Sequence, residues 1–189
     1  MEELLQTEVL IIGCGIAGAV AALQLAEAGI DVTIVTRAQD PTDSNTYHAQ
    51  GGIIYRGHDD SPELLAQDIL RAGAGHCNPK AVTILSQEGP DLVKRILIEK
   101  YGVQFDHGHG DHDEELSLAR EGGHSVPRIV HAVDATGKAI ELALMNAVLS
   151  PTRLSSPNPS SVVLSMESDA WSAWLLPKAF SRPERNSSS

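Results

Sequence analysis

The sequence predicts an α/β fold in which helices flank a parallel β-sheet, and three observations lead to this prediction. A short, wholly apolar run rich in β-branched residues occupies residues 9–12, and a second apolar, β-branched run that includes one threonine occupies residues 32–35. A glycine-rich turn and a segment of strong helix formers, residues 19–28, lie between them. Strands without polar alternation are typical of sheets that are covered on both faces. We therefore expect a β-α-β unit with a right-handed crossover and with strands buried on both faces.

Composition limits the class of protein. The chain has 189 residues, with 14 Lys and Arg against 25 Asp and Glu, and a net charge of −11. This acidity argues against binding to nucleic acid or to an anionic membrane. No apolar run approaches the ~18 residues of a membrane span, and Met1-Glu2-Glu3 lacks the basic start of a signal peptide, so we expect a cytoplasmic location. Cys14 and Cys77 form no CxxC pair and indicate neither a disulfide framework nor a zinc site.

Signals for the start and end of helices continue the α/β pattern. Ser61-Pro62 and Asn78-Pro79 each place Pro after an N-cap residue, and Gly73 ends the first of these helices. An apolar stripe predicts a separate helix at residues 90–101, and a similar stripe predicts another at residues 137–149.

The composition changes abruptly at Ser150. Residues 150–189 hold 12 of the 17 serines, five of the ten prolines and both tryptophans. Proline interrupts regular elements, and a polar segment buries too little apolar surface to offset its ordering entropy. We therefore expect a folded part at residues 1–149 and an irregular, disordered tail at residues 150–189.

The turn after the first apolar run is the first candidate site. Residues 13–18 read G-x-G-x-x-G between a strand and a helix, which predicts a Rossmann-like dinucleotide site at the helix N-terminus. A glycine-rich turn without a ligand is the alternative. Cys14 is expected to pack as a small side chain rather than to react as a thiol. The second strand ends at Arg37 instead of an acidic residue, which disfavours an ordinary NAD site and suits a phosphate contact.

Three motifs in the same order resemble one family. Residues 44–53, SNTYHAQGGI, resemble the second flavin-contacting loop of the succinate dehydrogenase/fumarate reductase flavoprotein superfamily, most closely that of the L-aspartate oxidases. Residues 72–75 resemble a further stretch, and residues 120–125 with 128–137 resemble the substrate-side signature. The resemblance covers about residues 8–149 and implies the front part of a longer FAD-binding domain, incomplete in this chain.

The resemblance also implies the mode of FAD binding. Asn45 occupies the position at which succinate dehydrogenases and fumarate reductases commonly carry the histidine that binds flavin covalently, so FAD is expected to be non-covalent. His48 is expected to be a loop histidine. The residues implied in FAD binding are Gly13, Cys14, Gly15, Ile16, Ala17, Gly18, Arg37, Asn45, Thr46, Tyr47, His48, Ala49, Gln50, Gly51 and Gly52.

Glu121 is the candidate substrate residue, because the family uses the glutamate of this motif to orient L-aspartate. For His124, Arg128 and His131, substrate contact and structural hydrogen bonding both remain open. Residues 107–113 contain an H-x-H pattern, but no strand or helix positions the ligands and no second shell is identifiable, so we expect a solvated loop and no metal site.

The resemblance implies FAD-dependent oxidation of L-aspartate to iminoaspartate for NAD biosynthesis, with oxygen or fumarate as acceptor and quinolinate synthase as a possible recipient of the product. The alternatives are a fumarate reductase or succinate dehydrogenase type of flavoprotein and a non-catalytic FAD-binding fragment. The family places its arginine base in a capping domain that these residues do not match. We therefore expect the chain to be truncated, to bind FAD weakly and to turn over no L-aspartate by itself.

Overall fold

The computed structural model describes residues 7–108, 115–150 and 161–165. The chain divides into two compact units, residues 1–44 with 148–189 and residues 45–147. The described elements, in chain order, are β1 (Val9–Ile12), α1 (Ile16–Glu27), β2 (Val32–Thr36), β3 (Ile53–Ile54), α2 (Pro62–Ala72), α3 (Pro79–Leu92) continued by a π-helical segment (Val93–Lys100), β4 (Leu118–Ala119), β5 (Ile129–Val130), α4 (Thr136–Val148) and β6 (Ser161–Ser165).

The first unit contains the predicted β-α-β unit. Strands β1 and β2 pair in parallel with Val9 opposite Val32, and α1 connects them. Helix α1 lies on the Ile11 side of β1, since a Cβ at Gly18 would lie 3.3 Å from Ile11 Cγ2. The α/β prediction is confirmed, and the register brings the end of β1 beside the end of β2.

The prediction that the strands are buried on both faces is wrong for β1. Leu10 is 49% exposed and Ile12 is 67% exposed, whereas Val32 and Ile34 in β2 are fully buried. Successive side chains of a strand point to opposite faces. Helix α1 covers the face of β1 that carries Ile11, so Leu10 and Ile12 lie on the opposite face.

A third strand lies in the segment predicted to be irregular. Strand β6 pairs in parallel with β2, Val32 opposite Ser161, and gives the order β1-β2-β6. Its apolar centre, Val162-Val163-Leu164, favours a strand, but the surrounding serine and proline mask this short signal. The expectation of no regular element is therefore wrong for residues 161–165. The rest of the tail, residues 151–160 and 166–189, lies outside the described residues.

The second unit has the predicted helix starts. The Ser61 hydroxyl accepts a hydrogen bond from Leu64 N at 3.1 Å and caps α2. The Asn78 carboxamide accepts from Lys80 N at 3.0 Å and caps α3. A small antiparallel sheet of order β3-β5-β4 completes the unit, with Ile53 opposite Val130. Each cap therefore provides a side-chain acceptor for at least one N–H group in the first turn of its helix.

Pro90 lies inside a helix and does not begin one. Helix α3 runs through Pro90 and continues as the π-helical segment to Lys100, where the prediction places a new helix at residues 90–101. Proline cannot donate a backbone hydrogen bond, and a local change to wider helical turns is one way to continue past it. The buried Val93 and Leu97 supply the apolar stripe that the sequence shows.

Helix α4 confirms the helix predicted near residues 137–149. Ile140, Leu144 and Val148 are buried on one side of it. Within the described ranges, no helix is both long enough and apolar enough to cross a membrane.

Candidate functional site

The glycine turn of the first unit is built from backbone geometry. Gly13 has φ +102°, a region that favours glycine, and its N–H donates to Val35 O at 2.8 Å. Gly15 precedes α1 in an extended conformation and has no side chain that could cap the helix. A Cβ at Gly18 would overlap the Gly13 carbonyl group. The three glycines therefore close a tight turn at a helix N-terminus that carries no acidic residue in its first turn.

Cys14 and Arg37 occupy different environments in this unit. Cys14 is 2% exposed, and its thiol donates to Pro41 O at 2.7 Å. Burial and this hydrogen bond agree with the interpretation of a packed side chain. Arg37 directly follows β2 and is exposed. Its guanidinium charge is thus available at the carboxyl end of the parallel strands, where dinucleotides bind in α/β sheets.

The second flavin-loop candidate, residues 45–52, lies in the second unit. Asn45, His48 and Gln50 are exposed. The rings of Tyr47 and His48 meet edge to face at 5.4 Å, and Lys138 Nζ lies 5.6 Å from the Tyr47 ring centre. The loop therefore presents polar groups on its outer side and is packed through Tyr47.

Close backbone contacts hold this loop. Gly137 N donates to Ala49 O at 3.0 Å. A Cβ at Gly137 would overlap the Thr46 carbonyl oxygen and lie 2.7 Å from the Ala49 carbonyl oxygen. A Cβ at Gly52 would lie 2.5 Å from the Val130 carbonyl oxygen. The start of α4 and strand β5 therefore fix the loop from two directions, and glycine is required at both contacts.

Glu121 lies at the start of a tight turn in the second unit. His124 N donates to Glu121 O at 3.2 Å, and Gly123 has φ +88°. Glycine at the third position of a four-residue turn with positive φ is typical of a type II turn. Glu121 is exposed, while His124 and Ser125 are partly buried. The turn therefore presents the Glu121 carboxylate to solvent from a defined backbone.

A buried ion cluster lies beneath this turn. Arg128 is completely buried and binds both oxygens of Asp60, with Nε to Oδ2 at 3.0 Å and Nη2 to Oδ1 at 2.8 Å. Arg128 Nη1 donates to Asp68 Oδ2 at 2.6 Å. The same Asp68 oxygen accepts from Ser125 N and from Ser125 Oγ, each at 2.8 Å. Helix α2, which carries Asp68, is thereby joined to the end of the turn.

Two more arginines hold the turn from its edges. Arg71, one helical turn after Asp68 in α2, pairs with Asp68 and donates to Gly123 O at 3.3 Å. Arg120 Nε donates to His124 O at 3.2 Å. Two backbone carbonyl groups of the turn, those of Gly123 and His124, are thus bound by side chains whose positions are set by the helix and by the preceding strand.

The cluster lowers the pKa of Asp68. Burial by itself would raise this pKa, because it disfavours the charged carboxylate. The hydrogen bonds from Ser125 and Arg128, together with the Arg128 charge, outweigh burial and hold the pKa of Asp68 well below its ordinary range. Asp68 is therefore ionised throughout the neutral pH range, which keeps its bonds to the turn in place.

These contacts separate the three side chains whose roles were open. Arg128 is a structural residue of the cluster, because it is fully buried with its donors directed at protein groups. His131 Nδ1 lies 2.9 Å from Asp106 Oδ2, and Asp106 Oδ2 also accepts from Val133 N at 2.8 Å. His131 therefore belongs to the segment before α4. His124 is partly exposed and stays in the turn with Glu121.

Sequence reasoning missed Asp60 and Asp68. Asp68 occupies an unremarkable position in a helix, and Asp60 precedes a predicted N-cap. A charged residue among the apolar positions of α2 is the only signal, since Asp68 follows the buried Leu65 by three positions.

The H-x-H pattern at residues 107–113 yields no metal assignment, because residues 109–114 lie outside the described residues.

Each unit by itself contains residues that fit one part of a flavin dinucleotide. The glycine turn offers a helix N-terminus whose N-cap residue, Gly15, has no side chain, which suits a pyrophosphate. The loop at 45–52 offers the exposed amide groups of Asn45 and Gln50 on a backbone held by Gly137, which suits a flat ring with polar edges. The turn at Glu121 offers an exposed carboxylate, which suits a cationic group of a substrate.

Comparison with known sequences agrees with this fit. The family model described as "FAD binding domain" matches residues 8–166, a range that includes β6. An L-aspartate oxidase of Oryza sativa subsp. japonica, named chloroplastic, is 45% identical over 139 residues, which cover 73% of this chain and 20% of that protein. An L-aspartate oxidase of Halobacterium salinarum is 42% identical over 140 residues, 74% of this chain and 26% of that protein. The chain thus spans about a fifth to a quarter of these two relatives.

Solved structures of similar fold include the Mycobacterium smegmatis Sdh1 complex in the apo form. The TM-score is 0.74 at 28% identity, over 84% of this chain and 27% of that chain. A quinol-fumarate reductase with menaquinol molecules has a TM-score of 0.72 at 23% identity, over 87% of this chain and 27% of that chain, and shows the fold alone.

Proposed function

The chain belongs to the family of FAD-binding domains, and we propose that it provides the FAD-binding part and one substrate-binding turn of an L-aspartate oxidase. The observation that carries this proposal is the turn at Glu121. Its exposed carboxylate stands on a backbone that the buried cluster of Arg128, Asp60 and Asp68 holds in place. The identity of 40–45% to proteins named L-aspartate oxidase supports the same assignment.

The chemistry of L-aspartate suits this turn. The substrate carries one ammonium group and two carboxylates, and a fixed carboxylate such as that of Glu121 attracts the ammonium group and orients the molecule. Bound FAD would supply the redox chemistry that side chains lack, as an acceptor for hydride from the substrate. The share of this chain is to hold both molecules and to orient them. The product of this oxidation would be iminoaspartate.

Binding of FAD is proposed to be non-covalent. The Asn45 side chain is an amide, which is a poor nucleophile, and it stands where the covalent branch of the superfamily carries histidine. His48 is exposed three positions later, with its ring against Tyr47. Contacts with FAD are assigned to the glycine turn at 13–18, to Arg37 and to the loop at 45–52.

The wider role follows from this assignment. Oxygen or fumarate would serve as electron acceptor, and the product would enter NAD biosynthesis, where quinolinate synthase would use it. A cytoplasmic location is part of the same proposal. A succinate dehydrogenase or fumarate reductase type of flavoprotein is the second candidate, because the Sdh1 complex shares the fold at 28% identity.

FAD binding is the first test. The purified chain is titrated with FAD, and bound flavin is followed by absorbance and fluorescence. We expect binding that is weak, that is released on denaturation, and that Gly18→Ala abolishes, because a Cβ there overlaps the Gly13 carbonyl group. Gln24→Ala, on the exposed side of α1, is the matched control and should bind as the wild type does. Flavin that stays attached after denaturation would overturn the non-covalent assignment.

Substrate class is the second arm of this test. L-aspartate and succinate are added separately to the FAD-loaded chain, and the flavin spectrum is recorded. We expect L-aspartate to perturb the spectrum, succinate to have the smaller effect, and no steady turnover by this chain. A response to succinate alone would favour the second candidate. Peroxide formation on addition of L-aspartate would contradict the expectation of no turnover.

A further inference from the structure

The arginine of the buried cluster also contacts a histidine of the turn. Arg128 Nη1 lies 3.0 Å from His124 Nδ1, in addition to its bond with Asp68. Arginine has five N–H donors and no acceptor. Four of these donors are directed at Asp60, Asp68 and His124. Every bond that Arg128 makes here is therefore a donated one.

This one-way donation determines the tautomer of His124. Since the guanidinium group can only donate, Nδ1 of His124 must accept, and the ring proton then lies on Nε2. Asp60 and Asp68 hold the guanidinium group from two sides, so the position of the Nη1 donor that faces His124 Nδ1 is fixed. Among the described residues, the hydrogen bond of the His124 ring is the one to Arg128.

With this tautomer, the turn carries a hydrogen-bond donor on His124 in addition to the acceptor on Glu121. Glu121 and His124 are the first and last residues of the same turn, joined by the bond from His124 N to Glu121 O. The Glu121 carboxylate is an acceptor, and Nε2–H is a donor. A dicarboxylic amino acid presents the complementary pair, an ammonium group that donates and carboxylates that accept.

We propose that Arg128 is a positioning residue that holds His124 as the Nε2–H tautomer, so that His124 donates to a carboxylate of the substrate while Glu121 accepts from its ammonium group. This inference rests on the proposed function for the identity of the substrate. The tautomer itself depends only on contacts within residues 45–147. The two parts can therefore fail separately.

The tautomer is tested on the chain without ligand. The ¹⁵N shifts of the His124 ring distinguish a nitrogen that carries hydrogen from one that does not. We expect the bare nitrogen to be Nδ1 in the wild type, and we expect the tautomers to mix in Arg128→Lys, which keeps the charge but loses the planar fork. A proton on Nδ1 in the wild type overturns the proposal. Asp40→Asn, remote in sequence and outside the cluster, serves as the control for both spectra.

The donor role is tested with two variants that each keep one half of the imidazole. His124→Asn keeps an acceptor near the Nδ1 position, and His124→Gln keeps a donor near the Nε2 position. L-aspartate is titrated to millimolar concentration, and the amide shifts of residues 121–125 are followed. We expect His124→Asn to weaken binding about tenfold or more and His124→Gln to weaken it less, as the loss of a bond to a charged group predicts.

The outcomes separate the two levels of the proposal. The opposite order, in which His124→Asn binds as the wild type does and His124→Gln does not, would show that only the Arg128 contact matters and would overturn the donor role. An absence of any response to L-aspartate in the FAD-loaded wild type would overturn the substrate part. Failure to bind FAD would count against the proposed function and leave the tautomer measurement decisive for Arg128.

Discussion

The glycine turn at residues 13–18 and the turn at residues 121–125 are both candidate ligand sites, but different forces hold them. The first depends on backbone geometry, with Gly13 at φ +102° and Gly18 against the Gly13 carbonyl group. The second depends on charge, with Asp68 and Arg128 buried beneath it. A backbone-built turn is sensitive to one added methyl group and insensitive to charge. A turn held by a buried ion pair is sensitive to the loss of a charge, and this contrast can be measured.

The largest effect is expected for Asp68→Asn. The amide keeps the shape of the side chain but leaves the buried Arg128 with only Asp60 as an anionic partner. Removing one member of a buried ion pair typically costs about 3–5 kcal/mol, and we expect the lower end because Asp60 remains. Urea unfolding, followed by amide hydrogen exchange in α2 and β5, measures this loss of stability in residues 45–147.

Asp40→Asn is the matched control for this substitution. Asp40 is an exposed carboxylate of the first unit whose pKa is lowered by hydrogen bonds from the backbone and hydroxyl of Thr42. Exposed charges contribute little to stability, so we expect no measurable change in the unfolding midpoint. Equal effects of the two substitutions would contradict the view that a buried charge holds the second turn.

Acid should distinguish the two turns without any substitution. The pKa of Asp68 is lowered in the folded chain, so its contribution to stability is present above the ordinary pKa of about 3.9 and is lost as the pH falls from there toward the lowered value. We expect hydrogen-exchange protection at residues 121–125 to fall in this window while protection at residues 13–18 persists longer. Asp68→Asn should remove most of this pH dependence. A single transition of both turns in wild type and variant would contradict the expectation.

How much of the fold and of the candidate sites the sequence predicts depends on how far apart the interacting residues lie in the chain. The caps at Ser61 and Asn78 and the glycine turn are predictable, because their partners lie within a few residues. The cluster is not predictable, since Arg128 is separated from Asp60 by 68 positions and from Asp68 by 60. Only the fold brings these charges together, and an isolated aspartate in a helix carries no sign of its partner.

The errors in secondary structure have the same origin. Pro90 is a strong local signal for a helix start, yet packing of Val93 and Leu97 continues the helix through it. Strand β6 is a weak local signal, yet pairing with β2 completes it. Tertiary contacts therefore override local preference in both directions, at one place by extending an element and at the other by creating one.

The smallest effect is expected for Gly137→Ala, which tests whether the second unit also contains a contact built from backbone. Alanine favours a helix over glycine by about 1 kcal/mol, but its Cβ would overlap the Thr46 carbonyl oxygen, and overpacking costs about 1–3 kcal/mol. We expect a net loss of about 1 kcal/mol in stability and a loss of FAD affinity, because the loop at 45–52 must shift. Thermal unfolding and FAD titration measure the two losses. Asn146→Ala, on the exposed side of the same helix, has no such overlap and should be neutral or slightly stabilising. If Gly137→Ala is as stable as this control, steric contact does not fix the loop. Neither candidate site of the second unit would then depend on close backbone contacts.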